Sequence, residues 1–260
     1  MKETRTLDRQ GVRQIAASVL ALGLVGALVA WQQLRTPVLD PVTLRAAGQP
    51  VRGEVAILLD VTDPLTPSQV AAATEWLRQL ELVELLPNEH LTVWALGTWE
   101  SGGLERVFTR YYPGRESDPI LHNPSGSAAS CDSLFSRPLR AAVQRAATGR
   151  HYPRSPILEA IQEIARQPEF ADARIPRHLV VVSDLLQHTP ALSFYRRVPS
   201  FQAFHQTPQF AALRAELRGV AVDLLYLPRS EVGGAGARLI EFWREYVVAC
   251  GSRSVRVRRV

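Results

Sequence analysis

The chain has 260 residues, a formal net charge of +5 and 46% hydrophobic residues. This composition is typical of a folded protein with a substantial core and excludes a disordered chain. The positive charge is too small to indicate a nucleic-acid-binding protein, so no specific nucleic acid is expected as a partner. Cys131 and Cys250 are the two cysteines. Two cysteines are too few for a cysteine-rich metal cluster. The two alternatives that remain are one disulfide and two buried thiols.

An uncharged, mostly apolar run lies near the N-terminus, between Arg13 and Arg35. About 20 apolar residues suffice for a helix to cross a bilayer. The run therefore predicts a transmembrane helix over residues 14–34, behind a basic tail at 1–13, with Trp31 at the membrane interface. The alternative is a signal peptide that is cleaved after Ala30.

Basic residues are denser before this run than after it. By the positive-inside rule, the N-terminus is expected in the cytoplasm and the rest of the chain on the outer side of the inner membrane. The chain is then a single-pass, signal-anchored protein. Residues 35–52 contain three prolines and no sustained period, so they are expected to be a linker to one domain at 53–260.

Apolar runs and amphipathic segments alternate through this domain. Thr66, with Pro67 and Gln69 behind it, is the start signal of a capped helix. The alternation predicts an α/β fold with a doubly wound, mostly parallel sheet, Rossmann-like in class. The predicted strands are 54–60, 91–96, 106–111, 178–183, 220–226 and an edge strand at 254–260; further helices are predicted at 156–166, 208–218 and before Gly251.

The segment 97–153 is longer than a simple crossover and rich in glycine and proline. It is expected to be an elaboration of the domain, either a partner-binding surface or a disordered excursion.

Oxygen-bearing side chains follow the predicted strands. Asp60 and Thr62 stand at the end of the first strand, Ser155 stands before a helix, and Asp184 follows a central strand. Ligands of open α/β sheets gather at the carboxyl ends of strands, so these side chains are expected to lie together. Carboxylates and hydroxyls suit a hard cation such as Mg²⁺.

These residues resemble the von Willebrand factor A (VWA) family. Its metal-ion-dependent adhesion site has the pattern Asp-x-Ser-x-Ser, then Thr, then Asp. Pro64 stands where the third ligand would be, and Leu185 follows the final acid where glycine is usual. The resemblance implies a VWA-like fold and a degenerate adhesion site that holds Mg²⁺. The implied metal ligands are Asp60, Thr62, Ser155 and Asp184.

The same residues also allow an interpretation without a metal. Ser155 would then be the N-cap of the helix that begins at Pro156. Thr62 would be a turn residue, and Asp60 and Asp184 would accept hydrogen bonds from loop amides.

The sequence favours an interaction or scaffold protein rather than an enzyme. No P-loop, Gly-x-Gly-x-x-Gly or Gly-x-Ser-x-Gly motif is present, so no catalytic residue and no small-molecule substrate are predicted. The expected partners are proteins of a membrane assembly, and residues 14–34 are expected to anchor the chain in the membrane. Two alternatives remain: a metal-dependent hydrolase that uses Asp60, Asp63 and Asp184, and a purely structural subunit.

Overall fold

A computed structural model describes residues 3–33, 39–97, 103–115, 130–148, 151–229 and 236–259. The first element is helix α1, Glu3–Gln33. Its stretch Gly11–Leu28 has the length and apolar composition needed to cross a membrane, and none of it is buried against the rest of the protein. The helix begins within the segment expected to be a basic tail and covers the predicted span as far as Gln33.

Six strands form one sheet in the order β3-β2-β1-β4-β5-β6. All neighbouring strands are parallel except β2 and β3, which are antiparallel. This confirms the predicted mostly parallel α/β fold. The inner strands are continuous apolar runs because both of their faces are covered. Their bounds are β1 Glu54–Asp60, β2 His90–Leu96, β3 Leu104–Tyr111, β4 Arg177–Ser183, β5 Val220–Tyr226 and β6 Ser254–Arg259.

Helices cover both faces of the sheet. Helix α2 starts as the sequence predicts: Thr66 Oγ1 accepts from the Gln69 amide, and the Gln69 side chain accepts from the Thr66 amide. The helices are α2 Pro67–Gln79, α3 Arg137–Ala147, α4 Ile157–Ala165, α5 Pro168–Ala171, α6 Phe201–His205, α7 Pro208–Leu213 and α8 Gly236–Ala249, with π-helical turns at Leu80–Glu84 and Asp132–Ser136.

The sheet separates two apolar cores. Alternate residues of β1 face opposite sides: Leu58 packs with α4 and α8, whereas Ile57 packs with α2 and α3. Cys250 belongs to the first core and Cys131 to the second, and both are buried free thiols. Of the two alternatives for these cysteines, the structure has the two buried thiols.

The segment 97–153 contributes to the core in the part that the structure describes. It supplies β3 and α3, and α3 buries Leu139, Ala142 and Val143 at helical spacing. These residues form a packed layer because their spacing of three and four places them on one face of the helix. Residues 98–102, 116–129 and 149–150 lie outside the described residues.

Part of the segment expected to be a linker also packs on the domain. Leu44 is buried, and the Tyr111 amide donates to the Thr43 carbonyl at 2.8 Å. Asn88 accepts from the Ala46 amide at 3.1 Å and donates to the Pro50 carbonyl at 2.7 Å. The chain therefore joins the domain beside the start of β2.

The helix predicted over 208–218 is shorter in the structure, where α7 ends at Leu213. Arg214 is extended, and the Leu213 carbonyl accepts the Tyr246 hydroxyl at 2.7 Å instead of continuing a helical ladder. The next residues lead into β5 with Ala215 and Leu217 buried. Burial of these two side chains overrides their helical propensity.

Candidate binding site at the carboxyl end of the sheet

Asp60 ends β1 and organises the turn that follows it. The Thr62 hydroxyl donates to Asp60 Oδ1 at 2.7 Å, and the Thr62 amide donates to the same oxygen at 3.2 Å. Gly97, just after β2, has φ +86°, and a Cβ there would lie 2.6 Å from Thr62 Cγ2. The close approach of the two strand ends therefore requires glycine at this position.

Two serines from other elements converge on the second oxygen of the same carboxylate. Ser183, at the end of β4, donates to Asp60 Oδ2 at 2.7 Å, and Ser155 donates to it at 3.2 Å. Ser155 is held in place by a pair of 2.8 Å backbone hydrogen bonds with His188. Asp60 thus accepts from three hydroxyl groups, all of them buried.

Ser155 is not the N-cap of the next helix, so that part of the interpretation without a metal is wrong. The cap residue of α4 is Pro156, and no side chain of that residue closes the helix. Instead, Gln187 Oε1 accepts from the Leu158 amide at 2.9 Å, while its amide group donates to Glu159 at 2.9 Å. Gln187 thus satisfies a backbone amide in the first turn of α4, and the Ser155 hydroxyl does not cap the helix.

Asp184 follows β4 and is nearly buried. Its Oδ1 accepts from the Leu186 amide at 2.9 Å. Burial raises the pKa of Asp184 to about 7, the charge of Asp60 adds to the increase, and Arg229 opposes it. Leu185 takes φ +63°, the left-handed region that favours glycine, with its side chain fully buried. The Trp243 indole donates to the Leu185 carbonyl at 2.9 Å and helps to hold this conformation.

Arg229, three residues after β5, bridges two carboxylates of this site. Its Nη2 lies 2.7 Å from Asp63 Oδ2, and its Nε contacts Asp184 Oδ2. Burial alone would lower the pKa of Arg229, but the charges of Asp184 and Asp63 raise it. The guanidinium therefore stays charged and supplies positive charge between Asp63 and Asp184.

Asp63 also binds two side chains that reach the surface. His151 Nδ1 contacts Asp63 Oδ1, and the Tyr195 hydroxyl donates to Oδ2 at 3.2 Å. Burial would raise the pKa of Asp63, but the bonds to His151 and Arg229 outweigh it and hold that pKa below its usual value. We call Asp63, His151, Tyr195 and Arg229 the upper rim.

The four residues that the sequence predicts as metal ligands lie at this one edge. Three of them are joined through Asp60, and Asp184 lies within the electrostatic reach of that carboxylate. The arrangement does not fit a divalent cation, because the outer oxygen of Asp184 faces Arg229. A guanidinium has no lone pair to offer a metal, and its positive charge repels a metal cation.

Two of the three carboxylates of the hydrolase alternative contact the same guanidinium. Asp63 and Asp184 both pair with Arg229, and Asp60 accepts hydroxyl groups. Among the described residues, no group of three or more His, Cys, Asp or Glu side chains is arranged to hold a metal ion.

Sequence reasoning pointed to Ser183 together with Asp184 at the end of a central strand, but it missed three other contributors to the site. Arg229 stands just after a strand end, so the rule that located Asp60 and Asp184 applied to it too. His151 and Tyr195 come from irregular loops, and no periodic pattern marks them.

Comparison with known proteins finds solved structures of similar fold. A scan of family models and a search of curated proteins both found no match. This chain is similar to the solved SpRpn10 VWA domain, with 10% identity, a TM-score of 0.38, and coverage of 80% of this chain and 89% of that one. It is also similar to the conserved hypothetical protein BatB from Bacteroides thetaiotaomicron, with 18% identity, a TM-score of 0.38, and coverage of 80% and 90%.

A third similar structure is an aerotolerance-related membrane protein from Bacteroides fragilis NCTC 9343. It has 17% identity and a TM-score of 0.35, and the match covers 79% of this chain and 90% of that one. The first of the three structures bears the name of the family that the motifs around Asp60 and Asp184 resemble.

Proposed function

We propose that this chain is a membrane-anchored protein-interaction domain that works as part of a membrane assembly. Helix α1 holds it in the inner membrane with the N-terminus in the cytoplasm and the domain on the outer side. The partner is a protein, and it binds at the upper rim. The chain acts by holding this surface in place, not by catalysing a reaction.

The position of the upper rim relative to the anchor carries the proposal. The chain enters the domain next to Asn88, at the amino ends of the parallel strands. The upper rim lies at their carboxyl ends, beyond Asp60 and Asp184. A strand of seven residues such as β1 spans roughly 20 Å, so the rim faces away from the point of attachment.

The chemistry of the upper rim suits a protein partner. Tyr195 exposes about half of its surface, at 49%, and Arg229 remains partly exposed. Tyrosine and arginine are over-represented among residues that dominate binding energy at protein interfaces. Asp63 holds both side chains in advance, which lowers the entropy lost on binding.

The predicted Mg²⁺ and the Arg229 guanidinium are alternatives for the same place beside Asp184. We propose that the interaction proceeds with the guanidinium there. The metal-dependent version would require Arg229 to leave Asp184 and Asp63 before Asp60, Thr62, Ser155 and Asp184 could serve a cation.

Co-purification from membranes tests this function. The tagged full chain, its double variant His151→Ala/Tyr195→Ala and the control Arg244→Ala are purified in mild detergent and compared by mass spectrometry. Arg244 is exposed on α8 and is not one of the upper-rim residues. A protein that accompanies the wild type and Arg244→Ala, and is depleted at least several-fold with the double variant, is expected. Equal recovery with all three chains, or no specific protein at all, would refute the proposal.

A further inference from the structure

Four large apolar side chains are exposed at the end of the domain that carries the anchor. Val42 exposes 73% of its surface, Leu82 44%, Val83 81% and Leu86 50%. Val42 lies in the segment that packs beside Tyr111, and the other three lie in the connection from α2 to β2. Large apolar side chains that are exposed at the same end of a protein are candidates for a contact surface.

These residues lie at the amino end of the sheet for reasons of topology. Leu82, Val83 and Leu86 precede His90, which pairs with Glu54 at the amino ends of β1 and β2. Val42 is placed there by the bond from the Tyr111 amide to Thr43, because Tyr111 pairs with His90 in the antiparallel ladder. All four therefore lie at the end opposite to the upper rim.

The length of chain between the anchor and the domain identifies the occupant. Helix α1 runs to Gln33, and the bridge between Leu39 and Ala46 already belongs to the domain. Six residue steps reach at most about 20 Å. Leu39 is thus tied within that distance of the end of α1. The adjoining amino end of the sheet therefore stays close to the membrane surface when α1 spans the bilayer.

We infer that Val42, Leu82, Val83 and Leu86 form a second membrane contact, which docks the domain on the headgroup region of the bilayer. This inference rests on the proposed anchoring by α1. A short tether supplies a high effective concentration, so even a weak apolar contact is populated. Docking would fix the orientation of the domain and hold the upper rim away from the lipid.

Lipid quenching tests the inference on the full chain. A fluorophore is attached at Val83→Cys or, as a control, at Ser68→Cys, an exposed position in the first turn of α2 at the carboxyl end of the sheet. Cys131 and Cys250 are buried and do not compete for the label. The protein is reconstituted in phosphatidylcholine vesicles that contain headgroup-nitroxide lipid, and the nitroxide quenches nearby fluorophores.

Quenching at position 83 is expected to be several-fold stronger than at position 68, and Val42→Glu/Leu86→Glu is expected to reduce it. Equal quenching at both positions would overturn the second contact. Flotation of the vesicles after alkaline washing reports separately on α1. Chain that floats without selective quenching refutes the docking alone, whereas chain that stays at the bottom refutes the anchor on which it rests.

Discussion

At the scale of single residues, Arg229 supplies positive charge between two carboxylates at the carboxyl end of the sheet. Its guanidinium joins Asp63 to Asp184 in a poorly solvated position. Removing one partner of such a pair leaves uncompensated charge, which is more costly than the pair itself is favourable. The site is therefore stabilised by a cation that belongs to the chain.

We expect Arg229→Met to lower the free energy of unfolding by about 3 kcal/mol, because two carboxylates lose their counter-charge. Chemical denaturation of the full chain in detergent measures this loss, with Arg244→Met as the matched control. Mg²⁺ or Mn²⁺ is expected to stabilise the Arg229→Met variant and to leave the wild type unchanged. Metal-dependent stabilisation of the wild type that disappears in Asp184→Asn would instead support the predicted Mg²⁺ site.

The sequence was informative about the residues at strand ends and uninformative about the loops. Asp60, Thr62, Ser155 and Asp184 could be grouped because parallel strands bring their carboxyl ends to one edge. The pairing of Arg229 with Asp63 depends on two loops that meet only in the folded chain. The interpretation of Ser155 as a helix cap was wrong. The side chain that accepts from the first turn of that helix belongs to Gln187, which is 29 residues away from its partner Leu158.

At the scale of elements, a buried polar network ties three neighbouring strands together. His90 on β2 lies 2.7 Å from Glu54 on β1 through Nδ1 and 2.8 Å from Thr109 on β3 through Nε2. Burial raises the pKa of Glu54, the bond to His90 opposes the increase, and the charge of Glu169 adds to it. The network sits at the end of the sheet where the chain enters the domain.

The raised pKa of Glu54 predicts a pH dependence of stability. The folded state holds the proton more tightly than the unfolded state, so the contribution of Glu54 is greatest below its ordinary pKa of 4.5 and is lost as pH rises through the raised value. Glu54→Gln is expected to flatten the fall in unfolding free energy above pH 4.5. Denaturation curves at several pH values check this, with Glu75→Gln as an exposed control; an unchanged slope would contradict it.

Local signals predicted the elements that depend on local interactions. The capping box at Thr66 is contained within four residues, and it formed as expected. Helix α3 was missed although Leu139, Ala142 and Val143 have helical spacing, because the glycine and proline content around it favoured an insertion. Whether such a segment joins the core depends on long-range packing against Phe108 and its neighbours, which a local pattern does not contain.

At the scale of the whole molecule, the two ends of the sheet carry different side chains. One end receives the chain from α1 and exposes apolar side chains, and the other presents the upper rim. The order of the elements predicted the parallel sheet, and the apolar run predicted the helix. The relation between the two ends followed only from the contacts of residues 39–52 with the start of β2, because those residues carry no periodic pattern.

Photo-crosslinking in native membranes tests most directly the claim that the upper rim is the partner-binding surface. A benzophenone amino acid replaces Tyr195 in the full chain, or replaces Arg244 on α8 as the control, and the membranes are irradiated. We expect a discrete adduct with a second protein from position 195 and none from position 244. Absence of any adduct from position 195, or the same adduct from both positions, would contradict it.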